Sequence, residues 1–273
     1  MSKYKLLATD MDGTALNSKK ELSPRTVAAM EKAIAEGYHV LFSTGRGISF
    51  VSPYIEQVKG MRYVISASGA EVLDVAEGRC LYKESIDPET VKYIFAAANG
   101  HYCLPVIYMN GESYGTEWTI DCADDFGLRA FESIYRQAMI LTPDAFQYFM
   151  ENPQPVEKIN LFYAGTDDVP EILAQIKELP VRFTSITPTS LEINASGISK
   201  AKGIEALCKE LGIELSEVIA VGDSMNDMEM LSVAGLKVAM GNANEEVKAL
   251  CNLVCDDCDN DGVAKIIEEY LLA

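Results

Sequence analysis

Histidine is scarce in this chain of 273 residues, since only His39 and His101 occur. His39 begins an apolar segment and is expected to be structural, whereas His101 follows Asn99-Gly100 and is expected to face solvent. Catalytic triads built on histidine and metal sites that need several imidazoles therefore have little support. Any chemistry has to come from carboxylates, hydroxyls and amines.

Long apolar runs and positive charge are also lacking. No segment approaches the roughly 20 apolar residues that a membrane-spanning helix needs. The 23 Lys and Arg residues face 41 Asp and Glu residues, so the formal net charge is −18. We therefore expect neither nucleic acid nor an anionic membrane as a partner. A phosphate site in such an acidic protein has to bring its own local positive charge.

The chain has seven cysteines, and no secretory signal is evident at its N-terminus. An odd number of cysteines without such a signal predicts reduced thiols and a cytoplasmic location. Cys251, Cys255 and Cys258 lie close together in the sequence, but the flanking Asp256 and Asp257 would raise a thiol pKa. The sequence leaves the role of these three cysteines open.

The feature around which the chain is organised lies near its start. An apolar run over residues 6–8 is followed by Asp10-Met11-Asp12-Gly13-Thr14. The run predicts a buried strand of a parallel sheet, and open α/β folds bind ligands at the carboxyl ends of such strands. Two carboxylates beside a phosphate would repel it unless a cation lay between them. If the motif is more than a turn, it predicts a divalent ion held by oxygen, namely Mg²⁺.

The order of apolar patterns along the chain predicts two domains. Alternating strand and helix patterns at both ends indicate an α/β core with a doubly wound, mostly parallel sheet, formed by residues 1–83 and 190–273. Residues 84–189 interrupt this pattern and have strand and helix candidates of their own. The sequence therefore predicts an α+β domain inserted into the core.

Three more positions suit a phosphate site at the carboxyl edge of the core sheet. Thr44 ends the second core strand and offers a hydroxyl group. Lys200 begins a helix, where a cation is disfavoured by the helix dipole and is therefore unusual. Asp223 ends a buried strand over residues 218–221, and Asp227 follows in the first turn of the next helix. A bare carboxylate at Asp223 again indicates a metal ion.

With these residues the chain resembles the haloacid dehalogenase (HAD) superfamily, and within it the Cof-type, type IIB phosphatases. The matching motifs are Asp10-Met11-Asp12-Gly13-Thr14, Thr44-Gly45-Arg46, Gly197-Ile198-Ser199-Lys200, Gly222-Asp223-Ser224-Met225-Asn226-Asp227, Met240-Gly241-Asn242-Ala243 and Asp261-Gly262-Val263-Ala264. The gap between Thr44 and Lys200 accommodates a cap domain and the shorter gap before Thr44 does not, which selects this branch. Ser68 stands where the family often has Asn, so no contact of that Asn is carried over.

The resemblance implies that the chain hydrolyses a phosphomonoester through an aspartyl-phosphate intermediate. Asp10 would be the nucleophile, and Asp12 would serve as general acid and then as general base. Mg²⁺ would be held by the carboxylates of Asp10 and Asp223 and by the backbone carbonyl of Asp12.

The resemblance also implies a set of residues that bind phosphate or substrate. These are Thr44, Gly45, Arg46, Lys200 and Asn226, with Thr44 and Lys200 holding the transferring oxygens and Asp227 in a supporting role. The inserted domain would act as a cap that sets substrate specificity, and Lys158 is the first candidate for a contact from it.

The expected substrate is a small phosphorylated metabolite, either a sugar phosphate or a phosphorylated cofactor. A phosphotransferase such as a sugar-phosphate mutase would use the same core, and a non-catalytic ligand-binding module would keep the same fold. Release of free phosphate in the absence of an acceptor would distinguish a phosphatase from a phosphotransferase. The intact acidic residues argue against a non-catalytic binding module. The sequence does not predict the oligomeric state.

Overall fold

The computed structural model describes residues 2–185 and 187–273. The β-strands within these residues are β1 Leu6–Thr9, β2 His39–Ser43, β3 Tyr63–Ser66, β4 Glu71–Asp74, β5 Arg79–Lys83, β6 Cys103–Met109, β7 Glu112–Thr116, β8 Met139–Thr142, β9 Lys158–Tyr163, β10 Val181–Thr184, β11 Ser190–Ala195, β12 Val218–Gly222, β13 Leu236–Ala239 and β14 Leu253–Val254.

The α-helices of the same residues are mostly short. They are α1 Pro24–Ala35, α2 Ile48–Ile55, α3 Pro88–Ala98, α4 Glu117–Asp121, α5 Glu132–Ala138, α6 Ala145–Glu151, α7 Asp168–Ile176, α8 Lys200–Leu211, α9 Met228–Val233, α10 Glu245–Leu250 and α11 Gly262–Ile266. Among the described residues, we find no helix with the length and apolar character that crossing a bilayer requires.

The first compact unit contains an eight-stranded sheet and comprises Met1–Arg46, Val51–Lys83 and Ser199–Ala273. The strand order is β14-β13-β12-β1-β2-β3-β4-β5, parallel from β14 to β3 and antiparallel over β4 and β5. The predicted doubly wound, mostly parallel sheet is confirmed. Strand β1 lies between β2 and β12, where the strand order reverses, and such a switch point is where this kind of sheet binds ligands.

Local sequence explains the elements next to this switch point. All four residues of β1 are buried, as expected for an apolar central strand that is covered on both faces. Helix α1 begins at Pro24, because the Ser23 hydroxyl accepts a hydrogen bond from the Thr26 N–H and proline suits the first turn of a helix. Both elements therefore follow from short-range patterns.

The second compact unit comprises Gly47–Phe50 and Glu84–Ile198. Its six-stranded sheet has the order β10-β11-β9-β6-β7-β8 and is antiparallel except for the β7–β8 pair. We expected this domain to end at residue 189, but β11 pairs with β9 and so belongs to the second unit. The pattern of a strand shows that it is half or fully buried, but it does not show which sheet the strand joins.

A buried ion pair lies on one face of the second sheet. The Lys158 Nζ is 2.7 Å from the Glu192 Oε2, and the two side chains are 1% and 7% exposed. In the β9–β11 register Asn160 is opposite Glu192 and Lys158 is opposite Asn194, so the ion pair is diagonal. Lys158 is thus already paired with a residue of its own unit, whereas the sequence suggested it only as a substrate contact.

Removing one partner of this pair is expected to destabilise the protein. In Lys158→Met, the Glu192 carboxylate stays buried without the ammonium group, which costs about 3 to 5 kcal/mol of unfolding free energy. Urea unfolding followed by circular dichroism measures the change. Exposed Lys177 is the control, and Lys177→Met should change stability by less than about 0.5 kcal/mol. Equal stability of both variants would contradict the assignment.

Candidate active site

Asp10 follows directly after β1, at the carboxyl edge of the first sheet. Its N–H donates to the Val221 carbonyl at 2.9 Å, which continues the β1–β12 pairing by one residue and fixes the Asp10 backbone. The next residue, Met11, is fully buried. Asp10 is therefore held by the sheet itself, at the position that the sequence predicts.

The side chain of Lys200 lies between two carboxylates. Its Nζ donates to the Asp10 Oδ1 at 2.5 Å and to the Asp227 Oδ1 at 2.7 Å. The Lys200 side chain is 1% exposed. Burial alone would lower the pKa of Lys200, but the two carboxylates raise it overall, so the group stays an ammonium ion. The structure thus places Lys200, the unusual cation at the start of α8, in contact with Asp10 of the first acidic motif.

Asp227 has both of its carboxylate oxygens engaged. While Oδ1 accepts from Lys200, Oδ2 accepts from the backbone N–H groups of Asp223 and Ser224, at 3.0 and 3.1 Å. Gly222 permits this close packing, because a Cβ there would lie 2.6 Å from the Asp227 Cγ. The contacts of Asp227 fit a residue that supports the site.

Asp223 packs against the turn of the first motif. Its Oδ1 accepts from the Thr14 hydroxyl at 2.8 Å. Gly13 has a φ of 81°, and a Cβ there would lie 2.6 Å from the Asp223 Oδ2. The Asn242 side chain donates to the Gly13 carbonyl at 2.8 Å. Glycine is therefore required at position 13 by its backbone conformation and by the neighbouring carboxylate.

These carboxylates form a donor set that fits a hard divalent cation. Oxygens of Asp10, Asp223 and Asp227 all lie within 4.8 Å of one another. Burial raises the pKa of Asp10 to about 7 and that of Asp223 to about 6. A divalent cation would offset the free-energy cost of ionising both groups. Because Asp227 is occupied by Lys200 and the backbone, Asp10 and Asp223 are the carboxylates best suited as ligands.

Asp12, the other acid of the first motif, is held by two cations. The Arg46 Nε donates to its Oδ2 at 2.8 Å, the Arg46 Nη2 to its Oδ1 at 2.7 Å, and the Lys20 Nζ to Oδ1 at 2.8 Å. Burial would raise the pKa of Asp12, but Arg46 and Lys20 outweigh it and lower the pKa to about 2. Arg46 and Lys20 thus hold Asp12 as a carboxylate.

Thr44, Gly45 and Asn226 lie on the loops that follow β2 and β12. Thr44 is buried, its Oγ1 accepts from the Arg46 N–H at 3.2 Å, and its carbonyl accepts from the Ser68 N–H at 2.9 Å. The Asn226 Oδ1 accepts from the Ser224 hydroxyl at 2.6 Å. The contacts of Thr44 and Asn226 are therefore local, whereas Asp10, Lys200, Asp223 and Asp227 form one cluster.

Three residues of the site were not predicted from the sequence. Thr14 lies inside the first motif, so its spacing could have indicated a contact with an acidic loop. Lys20 sits in a polar turn, where nothing in the sequence distinguishes it from a solvated side chain. Asn242 belongs to the matching motif Met240-Gly241-Asn242-Ala243, but the sequence assigned it no role. Their roles become visible only when the loops are brought together.

Comparison with known proteins identifies the family to which a chain with this site belongs. The family model for haloacid dehalogenase-like hydrolases matches residues 7–267. The chain is 30% identical over 273 residues to the Bacillus subtilis 5-amino-6-(5-phospho-D-ribitylamino)uracil phosphatase YcsE, covering 98% of this chain and 96% of that protein. It is 26% identical over 281 residues to the Escherichia coli pyridoxal phosphate phosphatase YbhA, covering 98% and 99%.

A solved structure shows the same fold. The HAD subclass IIB sugar phosphatase BT4131 matches with a TM-score of 0.81 and 25% sequence identity, over 98% of this chain and 100% of that chain. The match therefore extends over both compact units.

Proposed function

The chain belongs to the haloacid dehalogenase-like hydrolases as a Cof-type phosphatase acting on phosphomonoesters, and we propose that it works with Mg²⁺ through an aspartyl-phosphate at Asp10. The observation that carries the proposal is the buried Lys200 ammonium between Asp10 and Asp227, with Asp223 beside them. It supplies the local positive charge that an acidic protein needs in order to bind phosphate.

In the first half-reaction, a carboxylate oxygen of Asp10 attacks phosphorus and the bond from phosphorus to the ester oxygen breaks. Asp12 gives a proton to the departing oxygen, so the alcohol leaves as a neutral molecule. This step requires the ion pairs of Asp12 with Arg46 and Lys20 to loosen first, because they lower its pKa to about 2. Lys200 faces the charge on the transferring oxygens, where electrostatic stabilisation contributes most. Thr44, Gly45, Arg46 and Asn226 are assigned to orienting phosphate or substrate.

In the second half-reaction, water attacks the phosphorus of the aspartyl-phosphate and Asp12 accepts the water's proton. The acyl-phosphate bond breaks, which releases inorganic phosphate and restores the Asp10 carboxylate. Bound Mg²⁺, held by Asp10, Asp223 and the Asp12 carbonyl, would supply charge neutralisation between the nucleophile and the phosphoryl group. Asp227 keeps Lys200 in place through both steps.

The substrates proposed are sugar phosphates and phosphorylated cofactors. The relatives are named for a phosphorylated ribitylaminouracil, for pyridoxal phosphate and for sugar phosphates, all of which are small phosphomonoesters. We assign the second compact unit the role of the cap that selects among them. For the location of the protein we propose the cytoplasm, on the basis of the odd number of cysteines.

The test is phosphate release from a panel of phosphorylated metabolites and p-nitrophenyl phosphate, with Mg²⁺ and with EDTA. Chelation is expected to lower turnover by at least about a hundredfold, because metal-ion charge stabilisation contributes several kcal/mol. Activity should return when Mg²⁺ is added in excess of the chelator.

Two outcomes would contradict the proposal. Turnover that is the same with and without EDTA would exclude a required Mg²⁺ ion. Transfer of phosphate only to an added sugar phosphate, with no free phosphate produced, would indicate a phosphotransferase instead.

A further inference from the structure

We propose that the turn over Ala67–Gly69 positions Lys200, because one side of this turn is fixed to the loop after β2 and the other side packs directly on the start of α8. This segment, called the positive-φ turn below, acts through Lys200 and supplies no reacting group of its own. Since its role is to place the ammonium group of the proposed phosphatase site, it rests on the proposed function.

The positive-φ turn follows β3 directly and has an uncommon backbone conformation. Ala67, Ser68 and Gly69 have φ angles of 48°, 63° and 99°. Only glycine adopts a positive φ at little cost, so an alanine and a serine in succession are strained here. Ala67 is also fully buried. Such a conformation persists only where the surrounding contacts impose it, and strained backbone is concentrated at functional sites.

One side of the positive-φ turn is tied to the loop after β2 by backbone hydrogen bonds. The Ala67 N–H donates to the Arg46 carbonyl at 2.8 Å. The Ser68 N–H donates to the Thr44 carbonyl at 2.9 Å, and the Thr44 N–H donates to the Ile65 carbonyl at 2.9 Å. These bonds extend the contact between β2 and β3 beyond the ends of both strands. The turn is therefore anchored to the sheet and resists a push from its other side.

The other side of the positive-φ turn lies against the start of α8. A Cβ on Gly69 would lie 2.0 Å from the Ser199 carbonyl oxygen and 3.0 Å from the Lys200 backbone nitrogen. The helix stays close to the turn at its next glycine, since a Cβ on Gly203 would lie 3.4 Å from the Gly69 Cα. The backbone that carries Lys200 therefore rests on the turn, with no space for a side chain between them.

This contact determines where the Lys200 ammonium lies. Its Nζ is 2.5 Å from the Asp10 Oδ1 and 2.7 Å from the Asp227 Oδ1, and the side chain is 1% exposed. A side chain that is packed and bonded on this scale has little freedom to compensate for a shift of its own backbone. A misplacement of about 1 Å in a catalytic group can cost about a hundredfold in rate. A side chain at Gly69 is therefore expected to impair the reaction through Lys200.

The main experiment compares Gly69→Ala with Gly78→Ala. Both variants place alanine at a positive φ, of 99° and 62°, but a Cβ at Gly78 would meet no atom within 4 Å. The pair therefore separates displacement of α8 from the backbone strain that both variants share. The quantities measured are kcat and KM for p-nitrophenyl phosphate with saturating Mg²⁺.

Gly69→Ala should lower kcat by about a hundredfold and leave KM within about threefold of the wild type, because Lys200 acts on charge that develops in the transition state. Gly78→Ala should keep the wild-type kcat and KM. A general loss of folded protein would lower the amount of active enzyme in proportion to stability, which urea unfolding of both variants measures.

A second measurement does not depend on turnover. Moving the ammonium group away from Asp10 should raise the affinity for Mg²⁺ by about threefold, because less positive charge then opposes the ion. Titration calorimetry with Mg²⁺ alone measures this in Gly69→Ala, in Lys200→Met and in the double variant. In the Lys200→Met background Gly69→Ala should add nothing, because the group through which it acts is gone.

Position 68 tests the same turn without a new contact to α8. Ser68→Val puts a β-branched side chain at a φ of 63°, which it tolerates poorly, whereas Ser68→Gly relieves the strain. Ser68→Val should lower kcat by about tenfold, and Ser68→Gly should stay within about twofold of the wild type. Neither variant keeps the hydroxyl, so the difference between them reports on the backbone. This pair decides the proposal if Gly69→Ala does not fold.

Equal kcat values for Gly69→Ala and Gly78→Ala would overturn the positioning role, and so would equal kcat values for the two Ser68 variants. An effect of Gly69→Ala on Mg²⁺ affinity that persists in the Lys200→Met background would overturn the route through Lys200. If the wild type releases no phosphate from p-nitrophenyl phosphate with Mg²⁺, the proposed function itself fails. The Mg²⁺ titrations still show in that case whether the turn acts on Lys200, so the two failures are distinguishable.

Discussion

Asp10→Asn is expected to turn over below about a thousandth of the wild-type rate, which corresponds to a loss of about 4 kcal/mol of transition-state stabilisation. The amide keeps the shape of the side chain and can still accept a hydrogen bond from Lys200, now 2.5 Å from Oδ1. It cannot form an acyl-phosphate as a carboxylate does. The variant should therefore fold normally and lack the covalent step.

Two measurements check this result. Phosphate release gives the rate, and mass spectrometry of acid-quenched protein detects a phosphate adduct on the peptide that contains Asp10. The wild type should show the adduct and the variant should not. Asp124→Asn is the matched control, since Asp124 is exposed and paired with Arg129. Near-normal turnover of Asp10→Asn in a preparation free of contaminating phosphatase would refute the assignment of the nucleophile.

The elements that the sequence predicts well are those set by short-range physics. Strand β1 follows from an apolar run, and α1 follows from Ser23 and Pro24 at its start. Helix α8 begins at Lys200, as the sequence predicts, and its ends are set locally, because Ser199 caps it and Gly212 ends it. In each case the determinants lie within one or two turns of the element.

The second unit was predicted less completely. Strands β7 and β8 cannot be recognised from the sequence, because they are short and mix polar with apolar residues, so their periodicity is weak. The assignment of β11 to this unit depends on its pairing with β9, which lies far away in the sequence. Pairing partners are chosen by the packing of whole sheets, and a single strand pattern carries no information about them.

Some residues of the candidate site could also be predicted from short-range sequence patterns, and others could not. The residue types at Asp10, Lys200 and Asp223 could be predicted, because each one stands at the end of a strand or the start of a helix that has a clear pattern. The clamp on Asp12 could not be predicted, since Lys20 reaches it from a turn without any sequence signal. Side-chain pairing across loops is a property of the folded chain.

Lys200→Met is expected to abolish turnover while making the acidic cluster bind Mg²⁺ more tightly. Lys200 is the buried counter-charge of Asp10 and Asp227. Without it the carboxylates stay buried and unpaired, which costs about 3 to 5 kcal/mol of stability in the absence of metal. A divalent cation can replace the lost positive charge, so its affinity should rise by about tenfold, equivalent to about 1.4 kcal/mol.

Thermal unfolding at increasing Mg²⁺ concentrations measures both effects, because a ligand that binds only the folded state raises the melting temperature with its concentration. The variant should melt lower than the wild type without Mg²⁺, and the difference should shrink as Mg²⁺ is added. Lys202→Met, on the exposed side of the same helix next to Glu205, should behave as the wild type in melting and in turnover. If Lys200→Met melts as the wild type does without metal, or if Mg²⁺ leaves its melting temperature unchanged, then the acidic cluster is not held together by opposite charge. In that case the electrostatic basis of the proposed phosphatase site is wrong.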